Sequence, residues 1–180
     1  MKVPGTWGSF DLDAGARRTL QGAASVARHD AAVWMLRAKR DEAVDTSVQA
    51  AVPFYGVYDF TDRQRLDPKL SFQRFAERIV IKKKFADDPG AFERASPMSR
   101  VRADAPPFFV IHGALDSLVP VRDAQHFAAL LRAASQAPVC YAELAHAQHA
   151  FEVFHSLRTR NIVRGVDRFL AFAYAAWLAR

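Results

Sequence analysis

The chain has 180 residues, 51% hydrophobic and 24% charged, a balance that excludes a disordered tail and supports one domain, or a domain with a short appendage. One cysteine, Cys140, excludes an internal disulfide framework and a cysteine-rich zinc site, and no stretch approaches the roughly 18 uninterrupted apolar residues of a membrane helix. A net charge of +6 raises nucleic-acid binding, yet the only tight basic run, Lys82 to Lys84, is soon followed by Asp87 and Asp88, so solvated faces and no nucleic-acid partner are expected.

Residues 1–47 are the least readable. Their opening, "MKVPGTWGSFDLDAG", has no apolar h-region, so a cytoplasmic protein is expected. "DAAVWMLRAKRDEAV" reads as a helix, with no convincing strand before it. Three short apolar runs follow: "VQAAVPFYGVY" (48–58), "PFFVIH" (107–112) and "PVCYAEL" (138–144). None alternates polar with apolar residues, which predicts strands buried on both faces. Cys140, inside the third run, is accordingly expected to be a buried, inert thiol.

Residues 59–105, charged and dotted with Phe, read as a helical insertion of the kind that caps a site. Between the second and third strands, "PVRDAQHFAALLRAAS" places Ala124, Phe127, Leu130 and Leu131 on one helical face, with Asp123 favoured by the dipole in the first turn. The closing "NIVRGVDRFLAFAYAAWLA" turns Ile162, Val166, Phe169, Leu170 and Tyr174 inward, and the basic row Arg158, Arg160, Arg164 and Arg168 mostly shares that helix. Strand, helix, strand, helix with short links predicts a doubly wound, mostly parallel α/β layer over residues 48–180.

In such sheets, functional groups gather on loops leaving the carboxyl ends of the strands. Two loops qualify. "HGALDSLVP" carries Asp116 after the second strand, and "AHAQHAF" carries His149 after the third. A carboxylate there can accept from an imidazole Nδ1–H, fix its tautomer and stabilise the imidazolium formed during hydrolysis. His146, His149 and His155 are too irregularly spaced for a metal cluster, so no metal and no cofactor are expected. His112 and His126 read as strand-end and helix-surface residues.

"PPFFVIHGALDSLVPVRDAQHFAALLRA" followed by "VCYAELAHAQHAFEVF" strongly resembles the C-terminal half of α/β-hydrolase fold esterases and lipases, of the hormone-sensitive-lipase-like or prolyl-oligopeptidase-like branches. "DTSVQAAVPFYGVYDF" and "ASPMSRVRADAPP" extend the likeness over roughly residues 45–175. The resemblance implies a partial α/β-hydrolase fold with 59–105 as a helical cap. It also implies a serine hydrolase acting on small hydrophobic esters, with Asp116 as triad acid and His149 as general base. The sequence departs from the family where His146 stands near a position that often carries a small residue.

The larger departure is the nucleophile. No G-x-S-x-G occurs, and the glycine-rich oxyanion loop is also missing. Ser9 is flanked by Trp7 and Asp11 and fails the small-residue requirement of the elbow; Ser25, between Ala23 and Ala27, meets it but follows a poor strand. The expectation is half a hydrolase, truncated or inactive; the alternative is a non-catalytic α/β-hydrolase-like interaction module.

Overall fold

A computed structural model describes residues 47–63 and 71–179. Its centre is a parallel pair of strands, β1 (Phe108–Gly113) and β2 (Val139–Leu144), in register from Phe108 opposite Val139 to Gly113 opposite Leu144. Residues 51–55 run parallel along the other side of β1. The Ala51 and Tyr55 amides donate to the Pro107 and Ile111 carbonyls (2.9 and 2.8 Å), and the Phe109 and Ile111 amides donate back to Ala51 and Pro53 (2.9 and 3.0 Å). Pro53 has no N–H, so one ladder bond is missing and the pairing reduces to two bridges, Ala51 with Phe108 and Phe54 with Ile111. The first predicted strand is therefore present as a shorter, proline-interrupted segment.

Helix α3 (Val121–Ala134) joins β1 to β2, and α4 (Leu157–Leu178) follows β2. Ala124, Phe127 and Leu131 of α3 pack on Phe108 and Val110 of β1, with Tyr58 stacked on Phe127 at 4.3 Å between ring centroids. Phe169 and Ala173 of α4 pack on Ile111 and Val52 from the opposite face. Each of the larger of these side chains, Phe, Leu, Ile or Val, contributes about 1.5–3 kcal/mol by leaving water. This two-sided cover is why "PFFVIH" reads as a continuous apolar run. The α4 start lies earlier than the apolar periodicity indicates, because the Ser156 hydroxyl accepts from the Thr159 amide (3.1 Å) and caps the first turn.

The predicted double burial fails for β2. Among the described residues it pairs on one side only, and Cys140 and Glu143 open to solvent. Cys140 is thus an exposed thiol and not a buried one. A local apolar run does not reveal whether a strand has neighbours on both sides, and that is what decides its burial.

Between Val57 and Val101 the chain forms α1 (Ser71–Phe75), which runs into a single π turn (Ala76–Val80), then α2 (Pro89–Ala95) and a 3-10 turn (Pro97–Arg100). Asp88 caps α2 by accepting from the Ala91 amide (3.0 Å), with Pro89 at the first helical position, where its missing N–H costs nothing. Phe60, Ala76, Phe92 and Ala95 bury together with Val119, which lies just beyond Asp116. Among the described residues, no helix is long and apolar enough to cross a membrane.

Candidate active site

The carboxyl ends of β1 and β2 are sewn together by backbone. The Ala114 amide donates to Leu144 O (3.0 Å) and the Leu115 amide to Ala147 O (2.9 Å). The closeness requires glycine at the end of β1, since a Cβ on Gly113 would lie 2.5 Å from the Ala147 carbonyl oxygen. The Ser117 amide adds a third tie, to the side-chain oxygen of Gln148 (3.2 Å). These links carry the Asp116 loop to the His149 loop.

The structure brings Asp116 and His149 into hydrogen-bond contact. His149 Nδ1 lies 2.8 Å from Asp116 Oδ2, and because a carboxylate only accepts, Nδ1 carries the proton. The other oxygen, Oδ1, accepts from the Leu118 and Val119 amides, each at 2.9 Å. The Asp116 side chain has no solvent exposure. Burial by itself would raise its pKa; donors from His112, Val119, His149 and Leu118 together outweigh burial and hold it below the ordinary carboxylate value.

Two contributors escape a reading of the sequence by motif. His112, taken there as a strand-end residue, is fully buried and sends Nε2 to within 3.3 Å of Asp116 Oδ2. Its spacing to Asp116, four residues across a glycine turn, was the available signal. Tyr55 lays its ring against His149, 4.3 Å between centroids, and bonds its hydroxyl to the Glu152 carboxylate. Burial, followed by Glu152 and Asp116, pushes the phenol far above its ordinary pKa. Tyr55 adopts φ 38°, a left-handed conformation unusual for an aromatic residue. Nothing local to "PFYG" reveals that contact.

His146 does not crowd His149: it is exposed. Its φ of 58° lies in the left-handed region that glycine adopts without steric cost. His155 is exposed, and among the described residues no group of three His, Cys, Asp or Glu side chains is arranged to hold a metal. Ser9, Ser25 and the helix expected at 30–44 lie outside the described residues. Lys83 of the basic run pairs with Asp88 at 2.6 Å.

Asp123, in the first turn of α3, departs from the simple dipole expectation. Burial, then the nearby Asp59 and Asp62 carboxylates, push its pKa up to about 7. With Val57, Phe60, Phe72, Gln73, Val119 and Pro120, these three carboxylates line a small depression.

The BD-FAE family model matches residues 18–131. The chain belongs to the BD-FAE family. The match includes Asp116 and ends before His149. Among curated proteins, this BD-FAE chain is 44% identical over 133 residues to esterase LipQ of Mycobacterium tuberculosis, covering 74% of this chain and 31% of that one. LipM of the same organism is 48% identical over 134 residues, again covering 74% and 31%. The chain therefore spans about a third of the length of the curated relatives it matches. The esterase 2 structures of Thermogutta terrifontis share the fold: the propionate-bound form aligns with a TM-score of 0.56 at 23% identity, over 74% of this chain and 46% of that one. The fold is that of an α/β-hydrolase, spanned in part.

Proposed function

We propose that this chain carries the acid–base half of a carboxylesterase-type serine hydrolase acting on small hydrophobic esters, with Asp116 as triad acid and His149 as general base. The observation that carries the reading is the 2.8 Å bond from His149 Nδ1 to a carboxylate saturated with donors. That bond fixes the tautomer in which Nε2 is unprotonated. Nε2 then takes the proton of a serine hydroxyl as it attacks an ester carbonyl, and returns it to the leaving alcohol. Asp116 stabilises the imidazolium in between. The names of the relatives, esterase LipQ among them, support the same class of substrate.

Residues 48–180 form the hydrolase portion in this reading, and 59–105 its helical cap. Support for the cap comes from the apolar cluster that joins Phe60, Phe92 and Ala95 to Val119, beside the acid. Leu115 and Leu118, on either side of Asp116, and Val153 and Phe154, shortly after His149, are exposed and apolar, which suits a hydrophobic acyl or alcohol group.

The absence of G-x-S-x-G from the sequence favours a second reading, a non-catalytic interaction module on the same fold. One experiment separates the two: purified chain is treated with a fluorophosphonate probe, the labelled residue is mapped by mass spectrometry, and p-nitrophenyl ester turnover is measured in parallel. Label on Ser25, with turnover abolished by His149→Ala, supports the enzyme. No label and no turnover support the module.

A further inference from the structure

A hydrolase dyad needs one imidazole on its carboxylate, and Asp116 has two. His112 Nε2 lies 3.3 Å from Asp116 Oδ2, the same oxygen that receives His149 Nδ1 at 2.8 Å. The same Nε2 lies 3.1 Å from the Val119 carbonyl oxygen. Both neighbours are acceptors, so Nε2 carries a proton and donates. The other nitrogen, Nδ1, is buried and has no hydrogen-bond partner among the described residues. An orphaned buried nitrogen is costly, and an apolar side chain would fill the space without that cost. What the imidazole adds is the Nε2 donor.

We propose that His112 is a positioning residue that shares the Asp116 carboxylate with His149. The inference rests on the acid–base reading of that pair. The Leu118 and Val119 amides hold Oδ1, but without His112 the only donor on Oδ2 among the described residues would be His149 itself. Oδ2 would then be free to swing with His149 about the held Oδ1. His112, buried at the end of β1 and braced on Val119, holds Oδ2 in place independently of His149. The other carboxylates that act on His112 are Asp123 of α3 and Glu143 of β2. Glu143 is already bonded to Gln125 and Tyr141, at 2.7 and 2.8 Å.

The test is proton NMR of the His149 Nδ1–H in the full chain, with folding of each variant checked by circular dichroism. The bond to the Asp116 carboxylate is expected to give that proton a resolved resonance, downfield of an ordinary imidazole N–H. His112→Leu removes the donor and is expected to broaden or abolish the resonance, because Oδ2 is no longer held for the bond. His112→Gln carries an amide that reaches as far as Nε2 and is expected to retain it. Where His112→Leu does not fold, His112→Asn, whose amide is too short to reach, replaces it with the same expected loss. A folded donor-less variant with an unchanged resonance overturns the proposal. Asp116→Asn provides the control and is expected to abolish the resonance. If that loss occurs while the His112 variants do nothing, only the positioning role falls. If the wild type shows no such resonance, or Asp116→Asn leaves it unchanged, the acid–base pairing falls, and the positioning role with it.

Discussion

Asp116 is gripped by four donors and has no exposed side-chain surface, whereas His149 keeps 29% of its side chain exposed and rests on the ring of Tyr55. The acid sits on a loop closed by its own neighbours. The base sits on a loop whose backbone turns left-handed at His146 (φ 58°) and Ala150 (φ 56°). Such residues cost about 1–3 kcal/mol each and persist only where surrounding contacts impose them. The difference suits the roles proposed for the pair: a group that only stabilises charge gains from being fixed, while one that passes a proton needs access to its partner.

The sharpest way to break this arrangement is at Gly113, where the two loops touch. Gly113→Val places a side chain into the Ala147 carbonyl and is expected to destabilise the chain by about 3 kcal/mol. Chemical denaturation reads the loss, and unchanged stability would show that the loops are not held this closely. Asp123 tests the electrostatic setting of the acid side. Its folded pKa of about 7 lies above the unfolded value, so its stabilising contribution is full at low pH and is lost as pH rises through about 7. Asp123→Asn should therefore gain on the order of 2 kcal/mol relative to wild type between pH 5 and pH 8. Parallel denaturation curves at the two pH values would contradict it. Asp116 has the opposite sign: its depressed pKa stabilises above the unfolded carboxylate value, and that contribution is lost as pH falls through the folded value.

On the base side, Tyr55→Phe keeps the ring against His149 and removes only the bond to Glu152, for an expected cost of about 1 kcal/mol. The Nδ1–H resonance of His149 should change little, since its bond to Asp116 is untouched; its loss would assign the phenol hydroxyl a direct part in holding His149. The smallest effect is expected from His146→Gly, which relieves a left-handed backbone but adds freedom to the unfolded chain, and should stabilise by a net of about 0.5 kcal/mol. A loss of stability there would mean that the exposed imidazole makes a compensating contact.

Much of this architecture was legible because it is written locally. The buried β1, the α3 face of Ala124, Phe127 and Leu131, and the pairing of Asp116 with His149 all follow from short apolar runs, helical spacing and loops at strand ends. The misreadings share a physical cause. Cys140 was expected inside because its run is apolar, but burial depends on neighbouring strands that no local pattern names. Asp123 sits where the helix dipole favours a carboxylate, yet Asp59 and Asp62 reach it from a distant stretch of chain. Tyr55 and Glu152 stand 97 positions apart, beyond the reach of any motif.

That same contrast in sequence separation sets an order of assembly. The bonds to Asp116 from His112, Leu118 and Val119 close within four residues, so little loop entropy is lost in making them. The bond to His149 spans 33 residues, and the Tyr55–Glu152 contact requires the first and last parts of the described fold to have docked. Loops that long are late to close, and contacts between them form after local structure. Asp116 is thus expected to be shaped early in folding and His149 delivered to it last, so a partly folded chain would hold a finished carboxylate site without its second imidazole.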